Sequence, residues 1–485
     1  MYILGIDVGT TGTKALLIDE KGNVVAGGYK EYKLISDGVR VTQNAADWWD
    51  AAVFAVRRAT EAADKTKIAA LSLSTQAASM FPCDGDGEPL GEVITWMDSR
   101  SAAQTKVLTD AVGSESIYRK SGWLPNPALD ASKIMWLREN EPELFSRADK
   151  FISTIEYLNI KLCGRCAIDP TNAAMRQMFN LETCDWDREI LSAVGIGREK
   201  LPEILPIGAP VGTLTPEAAN ALGLPEAVTV YNGAHDQYCA AIGCGAVNSG
   251  DMLLATGTTW VVLGVTDGLL YTENHICPGI HPVSGKYGAL ASLVSAGSAL
   301  NWYKSIIDGD FKVMDAEAEK RRESAKNLFA LPYLCGAGFP HNRPDMRGAM
   351  FGLDVGHDKY HIALAMMEGV AFEADTVLRQ FAENKMNINK LMMTGGAARS
   401  RVWSEIVGYV TGCEIYRMKE PETCCMGAAM IAAVGAGLFP DYTACRTAMV
   451  KSEKLELSDA SAFDFYREKG QKYRALAEKV KSISL

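Results

Sequence analysis

The sequence lacks an apolar run long enough to cross a membrane. Its longest uncharged apolar stretch, Cys424–Phe439, contains three glycines and is followed by Pro440, whereas a spanning helix needs about 20 apolar residues. The first residues also lack the basic segment and the small-residue cleavage site of a secretory signal. The stretch predicts a buried core helix, and neither secretion nor a membrane partner is expected.

An excess of positive charge is also missing. The 485 residues include 49 Lys and Arg against 59 Asp and Glu, a net charge of −10, which disfavours a nucleic acid as the main partner. The 12 cysteines are scattered through apolar segments, which is typical of reduced, buried thiols and predicts a cytoplasmic protein. A homodimer is compatible with this composition, which does not fix the oligomeric state.

Two common nucleotide-binding motifs are absent, namely the Walker A string and the Gly-x-Gly-x-x-Gly fingerprint. A different short motif occurs twice instead: Val8-Gly9-Thr10-Thr11 recurs as Thr256-Gly257-Thr258-Thr259 near the midpoint of the chain, each copy between two apolar strands. The repeat predicts two related halves. Because glycine and polar turn residues cluster between Ala246 and Gly250, we expect domains at 1–246 and 247–485.

Strand and helix patterns alternate through the second half. Helical spacing is found at Ala316–Leu328, Tyr360–Asn384 and Ser400–Thr411, and in the first half from Asp47, an aspartate that can cap a helix. Alternation of this kind predicts an α/β fold in which helices cover the sheets.

Each Gly-Thr-Thr turn offers backbone N–H groups and hydroxyls to a single point, which suits phosphate oxygens. Two such turns together with Asp7 predict a polyphosphate held from both sides, whereas one turn alone would favour a plain tight hairpin. Asp7 either helps to bind Mg²⁺ or caps the turn. Lys14 either pairs with a phosphate or is a solvated strand residue.

Two further segments follow predicted strands. Gly395-Gly396-Ala397 precedes a helix, so a flat ring can lie on its backbone and an anion at the helix N-terminus. Asp236, in Asn232–Gln237, opens a helical run. The spacing leaves open whether Asp236 is an N-cap or a general base that accepts a hydroxyl proton.

Seven segments in order along nearly the whole chain resemble the motifs of the FGGY carbohydrate kinases. They are Gly5–Thr11, Trp96–Arg100, Lys133–Leu137, Asp236-Gln237, Thr256–Thr259, Gly348–Gly369 and Gly395–Ser400. The resemblance implies the fold of that family, two actin-like (ribonuclease H-like) α/β domains flanking a central catalytic cleft. It also implies transfer of the γ-phosphoryl group of ATP, with Mg²⁺, to a hydroxyl of a small sugar or polyol.

The same resemblance implies roles for individual residues. Asp236 would be the general base and, with Asp7, a metal-binding residue. The implied phosphate- and nucleotide-binding residues are Gly9, Thr10, Thr11, Lys14, Gly257, Thr258, Thr259, Gly297, Asn301, Gly395, Gly396, Ala397 and Ser400. The implied substrate-binding residues are Gln76, Ala77, Asp98, Arg100, His235, Asp236 and Gln237.

The sugar-binding segment departs from the family pattern. Gln76-Ala77-Ala78-Ser79 stands where xylulokinases have Gln-Met-His-Gly and glycerol kinases have an Arg-Glu pair. We expect an open-chain ketose such as xylulose, with a polyol as the alternative, and the phosphorylated hydroxyl stays open. His235 either contacts the substrate or packs against the strand end.

Two other functions use the same motifs. One is an actin- or chaperone-like ATPase whose nucleotide controls a partner protein, and the other is a sugar-binding relative without catalysis. The Asp236-Gln237 pair argues against the first, and the presence of Asp7, Asp236 and Thr258 argues against the second.

Overall fold

The computed structural model describes residues 1–388 and 390–481, so Asn389 and residues 482–485 of the expected second domain lie outside the described residues. The strands of the first half are β1 (Tyr2–Val8), β2 (Gly12–Asp19), β3 (Val24–Glu31), β4 (Ile35–Asp37), β5 (Arg40–Gln43), β6 (Ile68–Thr75), β7 (Phe81–Cys83), β8 (Val93–Ile94), β9 (Lys150–Ile152), β10 (Ala167–Ile168), β11 (Phe179–Asn180), β12 (Asp185–Trp186), β13 (Glu203–Ile204), β14 (Pro210–Thr213) and β15 (Thr229–His235). Its helices are α1 (Ala45–Ala59), α2 (Ala102–Val112), α3 (Ser114–Ser121), α4 (Asp130–Asn140), α5 (Pro142–Arg147), α6 (Thr154–Cys163), α7 (Pro170–Met175), α8 (Arg188–Val194), α9 (Pro216–Leu222) and α10 (Asp236–Gly243), with 3₁₀ turns at Lys65–Lys67 and Arg198–Lys200.

The second half repeats the alternation of strands and helices. Its strands are β16 (Met252–Thr256), β17 (Trp260–Thr266), β18 (Cys277–Ile280), β19 (Tyr287–Leu293), β20 (Phe329–Leu331), β21 (Ala349–Phe351), β22 (Lys390–Gly395), β23 (Glu414–Met418) and β24 (Ser452–Lys454). Its helices are α11 (Gly297–Ile306), α12 (Phe311–Glu319), α13 (Lys359–Glu383), α14 (Gly396–Arg399), α15 (Arg401–Thr411), α16 (Thr423–Gly435), α17 (Tyr442–Met449) and α18 (Ala460–Lys481).

The two large sheets have matching strand arrangements. Their orders are β14-β15-β6-β1-β2-β3 and β18-β19-β17-β16-β22-β23-β24. In each sheet the strand before the Gly-Thr-Thr turn pairs antiparallel with the strand after it and parallel with a later strand. The repeated motif thus marks the same position in two similar sheets, and the division at residues 246 and 247 stays a prediction.

Three groups of buried apolar side chains hold the fold together. One lies within residues 4–230, one within 252–480, and the third joins both halves through α10 and α16. The two helices approach closely because Gly427 lacks a side chain: a Cβ there would lie 1.8 Å from the carbonyl oxygen of Cys239. The predicted buried helix in Cys424–Phe439 is confirmed as α16.

Two predicted helix starts are wrong. The N-cap of α1 is Asn44, whose side chain accepts from the Ala46 N–H, and not Asp47. The helix expected at Ala316–Leu328 is found only in part, as α12. It begins earlier, at Phe311, because Asp310 caps it through the N–H groups of Lys312 and Val313, and it ends at Glu319, well before Leu328.

None of the helices within the described ranges is both long enough and apolar enough to cross a membrane. The 12 cysteines all fall inside those ranges and are free thiols, but only six are buried, and Cys184 and Cys335 are exposed, so the expectation of buried thiols is wrong for these two.

A buried histidine predicts acid sensitivity. The His281 ring is 3% exposed, its Nδ1 accepts from the Val283 N–H at 3.2 Å, and burial lowers its pKa to about 3. In the unfolded chain His281 has a pKa near 6.5 and is protonated below it, whereas in the folded chain it stays neutral. The free energy of unfolding therefore falls as the pH drops from 6.5 toward 3. His281 is expected to cost about 2 kcal/mol of unfolding free energy at pH 5 relative to pH 7.

Urea unfolding at both pH values measures this loss. In His281→Gln the fall in unfolding free energy from pH 7 to pH 5 should be smaller than in the wild type by about 2 kcal/mol. His275→Gln, in a ring that is 29% exposed, serves as the control. An equal loss in the wild type and in His281→Gln would contradict the prediction.

Candidate active site

Three parallel strands bring polar residues to one edge of the first sheet. Asp7 near the end of β1 is opposite Ser74 of β6, and Ser74 is opposite Ala234 of β15. The Ser74 hydroxyl donates to Asp7 Oδ1 at 2.7 Å. Because β15 ends at His235, Asp236 starts α10 at the same edge, which is where ligands bind in open α/β sheets.

Asp236 is not the N-cap of α10. That position belongs to His235, and no side-chain hydrogen bond caps this helix. The His235 Nε2 lies 2.9 Å from Asp236 Oδ1, and the Asp236 side chain is 29% exposed. The backbone N–H of His235 donates to the Thr171 hydroxyl at 2.8 Å, which fixes the strand end that carries the carboxylate.

The two carboxylates of this edge have opposite pKa shifts. Burial raises the pKa of the Asp7 carboxyl to about 7; the negative charge of Asp236 adds to the rise and the Ser74 hydroxyl opposes it. Burial alone would also raise the pKa of Asp236, but the adjacent His235 ring and the Gln237 amide hold it below its ordinary value. Asp236 is therefore ionised at neutral pH and able to accept a proton.

The first Gly-Thr-Thr turn links β1 and β2. The Gly9 N–H donates to the Gly12 carbonyl at 3.1 Å, and the Thr11 carbonyl accepts from the Tyr32 N–H. The Thr10 hydroxyl accepts from Trp96 Nε1 at 2.9 Å. The turn is thus a tight hairpin that is also fixed by hydrogen bonds from Tyr32 and Trp96.

Lys14 lies beside this turn. It is opposite Asp7 in the β1–β2 register, and its Nζ donates to Glu422 Oε2 at 2.5 Å. Burial alone would lower the pKa of Lys14, but Glu422 raises it above its ordinary value, so Lys14 is a cation. Sequence reasoning missed Glu422, which is 408 positions away and carries no local signal.

A cavity of about 490 Å³ lies beside the second Gly-Thr-Thr turn. The sequence-predicted residues that line it are Gly257, Thr258, Gly297, Asn301, Gly396, Ala397 and Ser400. Lining residues that sequence reasoning missed are Thr256, Leu300, Phe311, Lys312, Asp315, Arg399 and Trp403. The cavity combines small residues, aromatic rings and polar groups, which suits a flat base with a ribose.

Thr259 and Gly395 are not among the residues lining that cavity. Gly395 has φ +92°, and a Cβ there would lie 2.7 Å from the Thr256 carbonyl oxygen. Its position lets β22 turn sharply into α14 against the second turn.

The expected substrate residues lie in the first half and differ in their surroundings. The Asp98 carboxylate accepts from the Val41 N–H and from the Arg100 backbone and guanidinium, and the Arg100 guanidinium lies 5.0 Å from the ring centre of Trp136. Both side chains are buried, and their charges are paired with each other.

Gln76 and Ala77 are also buried, and Ala78 has φ +51°. This left-handed backbone is supported by Lys133, whose Nζ donates to the Ala78 carbonyl at 2.6 Å. Burial lowers the pKa of Lys133 to about 8. The segment after β6 is thus held in one conformation, which sequence reasoning did not foresee.

Comparison with known proteins agrees with this geometry. The model of the N-terminal domain of the FGGY family of carbohydrate kinases matches residues 2–243, and that of the C-terminal domain matches 252–436. A xylulose kinase of Staphylococcus epidermidis is 28% identical over 99% of this chain and 97% of its own length.

Solved structures are similar over the whole chain. A gluconate kinase from Lactobacillus acidophilus has a TM-score of 0.93 at 27% identity, covering 100% of this chain and 99% of its own. A ligand-bound xylulose kinase from the same organism has a TM-score of 0.92 at 27% identity, with the same coverage. The fold is the actin-like α/β fold of these kinases, and the chain belongs to the FGGY family of carbohydrate kinases.

Proposed function

We propose that the protein transfers the γ-phosphoryl group of Mg²⁺-ATP to a hydroxyl of a small sugar or polyol, with a ketose such as xylulose as the favoured substrate. The observation that carries the proposal is the ionised Asp236 carboxylate at the same sheet edge as Asp7 and the first Gly-Thr-Thr turn. A base positioned next to a phosphate site is a main requirement for phosphoryl transfer. Family membership disfavours the alternative of a nucleotide-driven interaction protein.

Asp236 takes the proton of the attacking hydroxyl while that oxygen bonds to the γ-phosphorus and the bond to the β–γ bridging oxygen breaks, so that ADP leaves. Thr10, Thr11 and Thr258 hold phosphate oxygens. The adenosine occupies the 490 Å³ cavity. Lys14 offsets charge on the phosphates.

The carboxylates of this edge fit Mg²⁺, which prefers oxygen ligands and keeps several waters. The negative charge of Asp236 adds to the raised pKa of Asp7, an effect that a bound cation would relieve. Within the described ranges no three His, Cys, Asp or Glu side chains converge, so water and phosphate would complete the shell. When bound there, held by Asp7 and Asp236, Mg²⁺ would offset the negative charge of the ATP phosphates.

Free thiols and the need for ATP support a cytoplasmic location, which we also propose.

An ADP-release assay with Mg²⁺-ATP tests the proposed function across pentuloses, hexuloses, tetritols, glycerol and gluconate. One compound is expected to reach about 1–100 turnovers per second, the usual range for kinases. Steady ATP hydrolysis that no compound changes would contradict the proposal and favour the actin-like alternative.

A further inference from the structure

The amide of Gln43, at the end of β5, connects the first phosphate turn to the predicted sugar-binding segment. Its Nε2 donates to the Thr10 carbonyl at 2.6 Å, and its Oε1 accepts from Gln76 Nε2 at 3.0 Å and from Trp48 Nε1 at 3.3 Å. Gln43 is 1% exposed. Three segments distant in sequence thus meet at one buried side chain.

The partners of Gln43 fix the direction of its amide. An indole N–H can only donate and a peptide carbonyl can only accept, so Gln43 must turn Oε1 toward Trp48 and Nε2 toward Thr10. Gln76 can then meet Gln43 Oε1 only through its own NH₂ group. The chemistry of the neighbours therefore excludes a flipped amide at either residue.

This arrangement leaves Gln76 Oε1 as a free acceptor. Gln76 is 2% exposed, and its Oε1 has no hydrogen-bond partner in the part of the chain that the structure describes; the same holds for Gln237 Oε1. Gln76 directly follows β6, and Gln237 is the second residue after β15, the strand next to it. Buried acceptors without partners are costly unless a ligand supplies the hydrogen.

Cations of the same region are already engaged. Arg100 pairs with Asp98, and Lys133 donates to backbone carbonyls. A carboxylate brought next to Gln76 and Gln237 would meet acceptor oxygens there, whereas a hydroxyl would donate to them.

We propose that Gln43 is a positioning residue that holds Gln76 as a hydrogen-bond acceptor, so that the sugar site selects a neutral polyhydroxy substrate over a sugar acid. The inference rests on the proposed kinase function, because it takes this edge of the sheet as the sugar site. A site built to pair with a substrate hydroxyl strongly rejects an analogue that cannot donate.

The first test compares kcat/KM of the full-length protein for matched neutral and acidic compounds with Mg²⁺-ATP. Xylulose, ribulose and xylitol are set against xylonate and gluconate. The best neutral compound is expected to exceed both acids by at least about 100-fold. Equal or better use of an acid would overturn the inference while leaving the kinase function intact, whereas no ADP release with any compound would overturn both.

The second test uses variants that separate positioning from packing. Gln43→Met keeps the side-chain length and removes every hydrogen bond that the amide makes. It should raise KM for the sugar by roughly 10–100-fold and reduce the neutral-to-acid ratio to below about 10, with a smaller change in kcat. Trp48→Phe removes the donor at 3.3 Å together with part of a buried ring, but it leaves the Thr10 anchor in place. It is therefore the control for lost packing and should keep the ratio within about 3-fold of the wild type.

Gln76→Met decides the matter if Gln43→Met does not fold, because it leaves the bonds of Gln43 to Thr10 and Trp48 in place. It should lower the neutral-to-acid ratio in the same way, and thermal unfolding reports whether each variant is folded. An unchanged ratio in folded Gln76→Met would overturn the inference.

Discussion

Replacing Asp236 with asparagine is expected to lower turnover by about two to four orders of magnitude, the usual contribution of a positioned general base. The amide has the shape of the carboxylate but cannot accept the hydroxyl proton. The loss should be seen in kcat at saturating ATP and sugar. Nucleotide binding, followed by the thermal shift that ADP produces, should persist, because the cavity proposed for adenosine is lined by residues of the other half of the chain.

Asp441→Asn is the matched control. Asp441 also stands at a helix start, but it caps α17 by accepting from the Ala444 N–H, which asparagine does nearly as well. It should therefore change neither kcat nor stability noticeably. Near-normal turnover in Asp236→Asn would contradict the role of Asp236 as the general base.

The Asp236 example shows what the sequence could predict. An aspartate after an apolar strand is compatible with a cap or a base, and only the structure shows that His235 holds the N-cap and that no side chain caps α10. The lowered pKa of Asp236 depends on His235 and Gln237. These residues adjoin it in sequence, but their effect depends on burial that one sequence does not reveal.

The turns and the strands around them were predictable because their signals are local. Glycine and polar turn residues between apolar runs indicate a hairpin, and both predicted turns are found between antiparallel strands. The cavity proposed for the nucleotide was predictable only in part. Phe311 and Trp403 reach it from α12 and α15, and the packing of separate helices has no short sequence signature.

Contacts between distant segments account for most of what was missed. Ser74 with Asp7, Lys14 with Glu422 and Gln43 with Gln76 each pair residues that no local pattern relates. The helix expected at Ala316–Leu328 failed for a different reason. Its start was judged from apolar spacing, whereas the Asp310 cap sets it earlier.

Replacing Gly297 with alanine is expected to raise KM for ATP by about 10–100-fold. Gly297 opens α11, and a Cβ there would lie 2.1 Å from the Gly257 carbonyl oxygen. The Ser298 N–H donates to the Thr258 carbonyl at 2.9 Å, so the helix start and the second phosphate turn touch along their backbones. Relief of the overlap must displace the turn, at a cost of about 1–3 kcal/mol for an overpacked contact.

Gly268→Ala is the control for this change, because a Cβ at Gly268 has no neighbour within 4 Å. Steady-state kinetics with varied ATP and saturating sugar should show the KM increase in Gly297→Ala alone. KM for the sugar, whose proposed site is at the edge of the other sheet, should stay near that of the wild type. An unchanged KM for ATP would mean that the second turn does not hold the phosphates. The site would then depend on the first turn and Lys14, and the repeated motif would be structural in the second half.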